Sequence, residues 1–218
     1  MTTAVIACRT IETELNRAME LSGISYPVLW LDSGLHVCPK KLNGELEKIL
    51  SETPYERLLF AMGYCGGGLS GLHAGEHELI IPKIDDCITL FLGSLSERRR
   101  IGKEYAAYFL TEGWLRGEQN IWTEYLYMVS KYGEETAAEL SEEMYGNYRT
   151  LALLDTGTEP MEPLIEKTKI IADTLSLRQQ VLPASLSYIS ALLTGPWDDG
   201  RFIKKAPHSV VTCEELCL

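Results

Sequence analysis

Apolar positions along this chain fall into two rhythms. Short continuous runs at Thr3–Ala7, Pro27–Leu31, Arg57–Met62, Glu78–Ile81, Tyr105–Leu110 and Thr150–Leu154 read as strands buried on both faces. A weaker run near Leu175–Leu182 predicts one more. Between the runs the spacing changes to that of helices. Ile11, Leu15, Ala18 and Leu21 form one stripe, which Gly23 ends. Pro39 opens a helix carrying Leu42, Leu46, Ile49 and Leu50. Asp85 is placed to cap a short helix that holds Cys87, Ile88, Leu90, Phe91 and Leu92. Ile121, Tyr125, Met128 and Tyr132 predict a further helix, and an acidic one follows at Glu134–Met144. The last two helices are expected from about Pro160 to Asp173, and from Pro183 through Leu193 up to Gly195 and Pro196. The tail from Arg201 has room for one or two short strands.

Strands that alternate with helices predict βαβ units. The expected fold is α/β, a mostly parallel sheet with helices on both faces. The stretch 114–146 interrupts the alternation and reads as a helical insertion or cap. With neither an internal repeat nor a low-complexity linker, residues 1–218 are expected to form a single domain.

Composition narrows the function. Hydrophobic residues make up 45% and charged residues 23%, as in a folded globular chain. The net charge of −11 argues against nucleic acid, whose phosphates such a surface repels. The one compact basic run, Arg98–Arg100 with Lys103 nearby, reads as a solvated loop. No apolar run approaches the roughly 20 residues of a membrane span, and the N-terminus lacks a basic leader, so a cytoplasmic location is expected. There the six cysteines should stay reduced.

Ligands of parallel α/β sheets bind at the carboxyl ends of the strands. Cys8 ends the first strand, Cys65 follows the third inside GYCGGG, and Cys87 follows the fourth at a helix start. His36 follows the second strand, while His73 and His77 lie in or near the glycine-rich loop. A helix start favours thiolate, so Cys8 and Cys87 are expected to be ionised near neutral pH. Thiolates bind zinc or iron, and three of them leave one open position on a tetrahedral ion or one unique iron on a cluster. The plainer alternative is packing, since free cysteine is a small apolar filler and no CxxC pair is present. Cys38 reads as structural; Cys213 and Cys217, four apart in the tail, read as a frayed end.

Gly66, Gly67 and Gly68 allow a backbone to approach a phosphate or flat cofactor, or simply make a tight turn. No GK[ST] follows, so the loop is not a P-loop. Asp86 is a candidate for a hard cation or for capping. Trp114 is a candidate stacking wall or a core residue.

Cys8, the GLH of Gly34–His36, the GYCGGG of Gly63–Gly68, the IPKIDDCITLFLGS of Ile81–Ser94 and the YFLTEGWL of Tyr108–Leu115 together resemble an uncharacterised domain family of methanogens and anaerobic bacteria. The resemblance is densest between residues 4 and 115. Its pattern includes Cys8, Cys65, Cys87 and His36 but not Cys38, Cys213 or Cys217. Members often sit beside corrinoid proteins and methylamine or betaine-type methyltransferases, which implies a setting in one-carbon metabolism. The expected function is therefore a cysteine-ligated metal protein. In the first form Cys8, Cys65 and Cys87 hold zinc, His36 is a supporting or alternative ligand, and a methyl group moves between a small-molecule substrate and a corrinoid protein. In the second, the chain is an accessory carrier of an iron–sulfur cluster, metal or corrinoid for a methyltransferase. A third reading is a small-molecule-binding domain with structural cysteines.

Overall fold

A computed structural model describes residues 1–216, and Cys217 lies outside the described residues. The first half is built as expected. Strand β1 (Thr3–Cys8) leads through a 3-10 turn (Arg9–Ile11) into α1 (Glu12–Ser22); β2 (Val28–Leu31) leads through a second 3-10 turn (Ser33–Val37) into α2 (Pro39–Glu52). Then come β3 (Arg57–Ala61), the glycine-rich loop with a turn at Cys65–Gly67, β4 (Glu78–Pro82) and α3 (Ile88–Leu92). Helix α1 stops where Gly23 takes the left-handed conformation, at φ 66°.

The basic run is not a loop. Arg98–Arg100 lie on α4 (Leu95–Tyr105), whose first turn is capped by Ser94 accepting from the Glu97 N–H at 3.1 Å. The guanidinium of Arg98 sits 4.2 Å from the Phe109 ring centroid and pairs with Asp86 at 3.3 Å. This helix also shortens the next strand, which starts at Ala107 and not at Tyr105: β5 spans Ala107–Leu110. Helices α5 (Glu112–Leu115), α6 (Ile121–Tyr132) and α7 (Glu134–Tyr145) follow, then β6 (Thr150–Asp155), α8 (Met161–Thr174) and β7 (Arg178–Pro183). Pro183 closes β7 rather than opening a helix; α9 is Ser187–Thr194. The tail contributes β8 (Phe202–Lys205), a lone bridge from Val210 to His73, and α10 (Cys213–Leu216).

The strands divide between two sheets. The first has the order β2-β1-β3-β4-β8, parallel except for the antiparallel edge strand β8. The second has the order β5-β6-β7 and is wholly parallel. Fold class is thus α/β and mostly parallel, as expected, but in two sheets. Alternation along β5 and β6 explains how the two become one body. Ala107, Phe109, Ala152 and Leu154 join the larger core beneath the first sheet. Leu110, Leu151 and Leu153 face the other way, into a smaller core with Ile121 of α6 and Leu164 and Ile171 of α8. The stretch expected as an insertion is the crossover that joins β5 to β6. After β7 the chain returns: α9 packs against α1 and β3, and β8 pairs with β4. Two apolar positions assigned to buried stripes prove exposed, Leu21 and Tyr132.

Candidate functional site

The carboxyl edges of the two sheets meet, and close packing of main chains makes the seam. Gly113 at the start of α5 lies so near Thr10 that a Cβ there would fall 2.1 Å from the Thr10 carbonyl oxygen. Gly117 lies against Ser33. The loops after β1 and β2 are thereby clamped to the loop after β5. His36 and Trp114 face each other across this seam with ring centroids 6.3 Å apart. Trp114 packs against both cores.

Two cysteines come together on the first sheet's edge, with a third farther along it. Cys65 follows a point of unusually close approach. A Cβ at Gly63 would meet the Asp85 and Asp86 main chain at 2.6–2.8 Å, and the Tyr64 and Cys65 N–H groups donate to the Ile84 and Asp85 carbonyls, both at 3.1 Å. Cys65 itself is held at φ 45°, a left-handed conformation that a side chain disfavours. The result is that the Cys65 and Cys87 side chains stand near enough to act on each other electrostatically. Cys8, with its sulfur accepting from the Thr10 hydroxyl at 3.2 Å, lies within electrostatic reach of Cys87.

Their ionisation runs opposite to the expectation. Burial pushes the Cys8 thiol up to about 11, and the negative charge of a neighbouring Cys87 thiolate would add to the rise. Cys87 is raised well above the ordinary range, first by the neighbouring Cys65 side chain and then by burial. The turn after Cys8 and the short helix after Cys87 supply too little positive potential to offset the desolvation. In the metal-free protein both are therefore thiols near neutral pH. At pH 8 about one Cys8 in a thousand is thiolate. Iodoacetamide on the native protein should accordingly label exposed Cys213 and half-buried Cys38 long before Cys8 or Cys87. Peptide mapping by mass spectrometry checks this; labelling of Cys8 as fast as Cys213 would contradict it.

The remaining candidates separate by role. Asp86, not Asp85, caps α3, accepting the Thr89 N–H at 3.1 Å; Asp85 accepts the Thr89 hydroxyl at 2.7 Å. With Arg98 on its other oxygen, Asp86 is occupied. Gly66 packs on Pro39 and Gly68 on Leu42, where a Cβ would stand 2.6 Å from Cδ2; Gly67 faces open space. These glycines serve the turn and its approach to α2. His77 is away from the edge and buried, its two ring nitrogens at 2.6 and 2.7 Å from the Tyr55 and Leu50 carbonyls. It ties the end of α2 to the entry of β3. Among the described residues no group of three His, Cys, Asp or Glu side chains is already arranged to hold a metal ion. No helix among them is long and apolar enough to cross a membrane.

Residues that sequence reasoning passed over include Thr10, Gly63, Gly113 and Glu14. Glu14 carried a signal: it falls three residues after Ile11 and four before Ala18, on the apolar stripe of α1, and it is 3% exposed.

A family model described as Protein of unknown function (DUF1638) matches residues 30–193. No curated protein and no solved structure matches the chain.

Proposed function

We propose a function for a chain that belongs to the DUF1638 family of proteins of unknown function: it binds a thiophilic metal ion, zinc first among them, through Cys65, Cys87 and Cys8. The observation that carries this reading is the neighbouring pair Cys65 and Cys87, with Cys8 within electrostatic reach of Cys87 on the same strand edge. The donors fit such an ion in kind, being soft sulfurs in a largely dry setting. They do not form a ready three-ligand cage, so binding has to draw Cys8 inward. It also has to displace protons, because burial keeps Cys8 and Cys87 as thiols until an ion takes the proton's place. His36, half-buried beside Trp114, is a supporting or alternative ligand.

A zinc ion with three thiolates has one open position and keeps a substrate thiol ionised there. Methyl transfer with a corrinoid-bearing partner protein is the reaction proposed for it. Sequence resemblance supports that part, whereas the geometry supports only the thiol cluster.

The test is metal content and zinc titration on protein purified anaerobically without chelators. About one zinc per chain is expected, with protons released on binding. Cys65→Ser should weaken binding by about a hundredfold or more, since it removes a ligand outright. Zinc affinity equal in wild type and C65S would sink the proposal, as would a protein that takes up no metal. Iron with sulfide would replace the zinc enzyme by the cluster carrier.

A further inference from the structure

A pocket lies between α1 and the carboxyl ends of β5 and β6. It has a volume of about 180 Å³ and is lined by Glu14, Thr111, Glu112, Thr156, Thr158 and Glu159, with Leu154, Met161, Leu164 and Lys167 completing the wall. Glu14 is its unusual member. The side chain is 3% exposed, and its Oε2 has no hydrogen-bond partner. The carboxyl group's contacts are confined to its own backbone N–H and the Thr156 hydroxyl. Buried polar atoms of native proteins are nearly always satisfied, and an exception calls for an explanation.

Charges around the pocket narrow what would satisfy it. Lys167 is its one cation and is already paired with Glu112 at 2.6 Å. Arg116, outside the lining, reaches Glu159 at 3.9 Å. Of the three carboxylates Glu14 alone forms no ion pair, Arg116 acting on it only from a distance. An anionic ligand would meet Glu14 and Glu159 together. A neutral ligand would leave the carboxylate uncompensated. A cation with N–H groups satisfies both charge and hydrogen bonding. Leu154, Met161 and Leu164 offer apolar contact to the rest of the ligand, and the volume suits a molecule of several heavy atoms.

We propose that this pocket is a binding site for a small organic ammonium ion, its N–H groups donating to the Glu14 carboxylate and its hydrocarbon part lying on Leu154, Met161 and Leu164. The site is separate from the cysteine cluster, and its occupancy does not depend on metal.

Isothermal titration of the full chain at pH 8 with n-butylammonium chloride, butan-1-ol and sodium butyrate, at matched ionic strength, tests it. Butylammonium should bind at least about tenfold more tightly than either control, the usual discrimination of a charge-assisted hydrogen bond. Glu14→Gln should weaken butylammonium by about tenfold or more and leave butanol unchanged. Met161→Trp, which fills the pocket from its rim, should abolish butylammonium binding with the melting temperature retained. Equal binding of butanol and butylammonium, or no loss in E14Q, would overturn the proposal, and so would an absence of butylammonium binding to wild type. Should E14Q fail to fold, M161W decides, and butylammonium binding retained in it is also an overturning result.

Discussion

Replacing Gly113 with alanine should cost the fold about 3 kcal/mol or more, the upper part of the range for overpacking a rigid site. The reason is not conformational freedom but space. A Cβ at this position would lie 2.1 Å from the Thr10 carbonyl oxygen and 3.0 Å from its carbon, and main-chain atoms cannot swing aside as a side chain can. Thr10 is itself buried and belongs to the turn that follows β1. Relief therefore requires the two sheet edges to part. Gly44→Ala is the matched control. Gly44 is inside α2 with nothing within 4 Å of its would-be Cβ, so alanine there should stabilise by up to about 1 kcal/mol through helix propensity. Urea denaturation of both variants checks the pair. A G113A midpoint equal to wild type would mean that the seam is not closely packed. The same substitution should also speed Cys8 alkylation, since Thr10 covers and hydrogen-bonds its sulfur.

Glu14→Gln should make the protein more stable, by a margin that grows as pH rises from about 4.5 and levels off above about 7. Burial raises the Glu14 carboxyl from its ordinary 4.5 to about 7, with Glu159 adding to the rise and Arg116 and the Thr156 hydroxyl working against it. Glu112 and Lys167 complete the charged groups around the pocket, paired with each other. The folded state thus holds a proton that the unfolded chain releases between about 4.5 and 7. Stability from the neutral carboxyl is fully present below 4.5 and is lost as pH rises through 7. The loss amounts to about 3 kcal/mol, from roughly 1.4 kcal/mol for each tenfold change in proton affinity. Glutamine cannot ionise, so E14Q should match wild type to within a constant offset near pH 4.5, gain on it up to about pH 7 and hold that margin to pH 8. Urea midpoints across that range give the answer; parallel pH curves for the two proteins would rule the ionisation out. A carboxylate kept at this cost, on an otherwise apolar helix face, is the kind of group that function retains against stability.

Much of the candidate site was legible before folding. The placement of Cys8, Cys65 and Cys87 on one edge followed from one rule, that parallel strands present their carboxyl ends together. Their protonation was not legible. A helix start suggested thiolate, but α3 has only five residues and Cys87 is 3% exposed, so desolvation outweighs the dipole. His77 looked like a neighbour of the site because it is close in sequence. Its two nearby carbonyls, from Leu50 and Tyr55, come from segments more than twenty residues away, and nothing local could have announced them.

The sequence by itself determined the elements and the class of fold. Hydrophobic periodicity acts within a few turns of chain, and strand after helix after strand leaves little choice but parallel βαβ units. It also determined the acidic surface and the order of the cysteines along the strand ends. Tertiary structure alone decided that the strands divide into two sheets and that β8 returns antiparallel to the edge of the first. It likewise decided that Arg98, in a run that reads as solvated, stacks on Phe109 and pairs with Asp86. The seam at Gly113 and the isolation of Glu14 are decisions of the same kind. Each depends on which atoms from distant segments arrive at one place, and on whether the space and charge they leave are filled. Local patterning does not encode either.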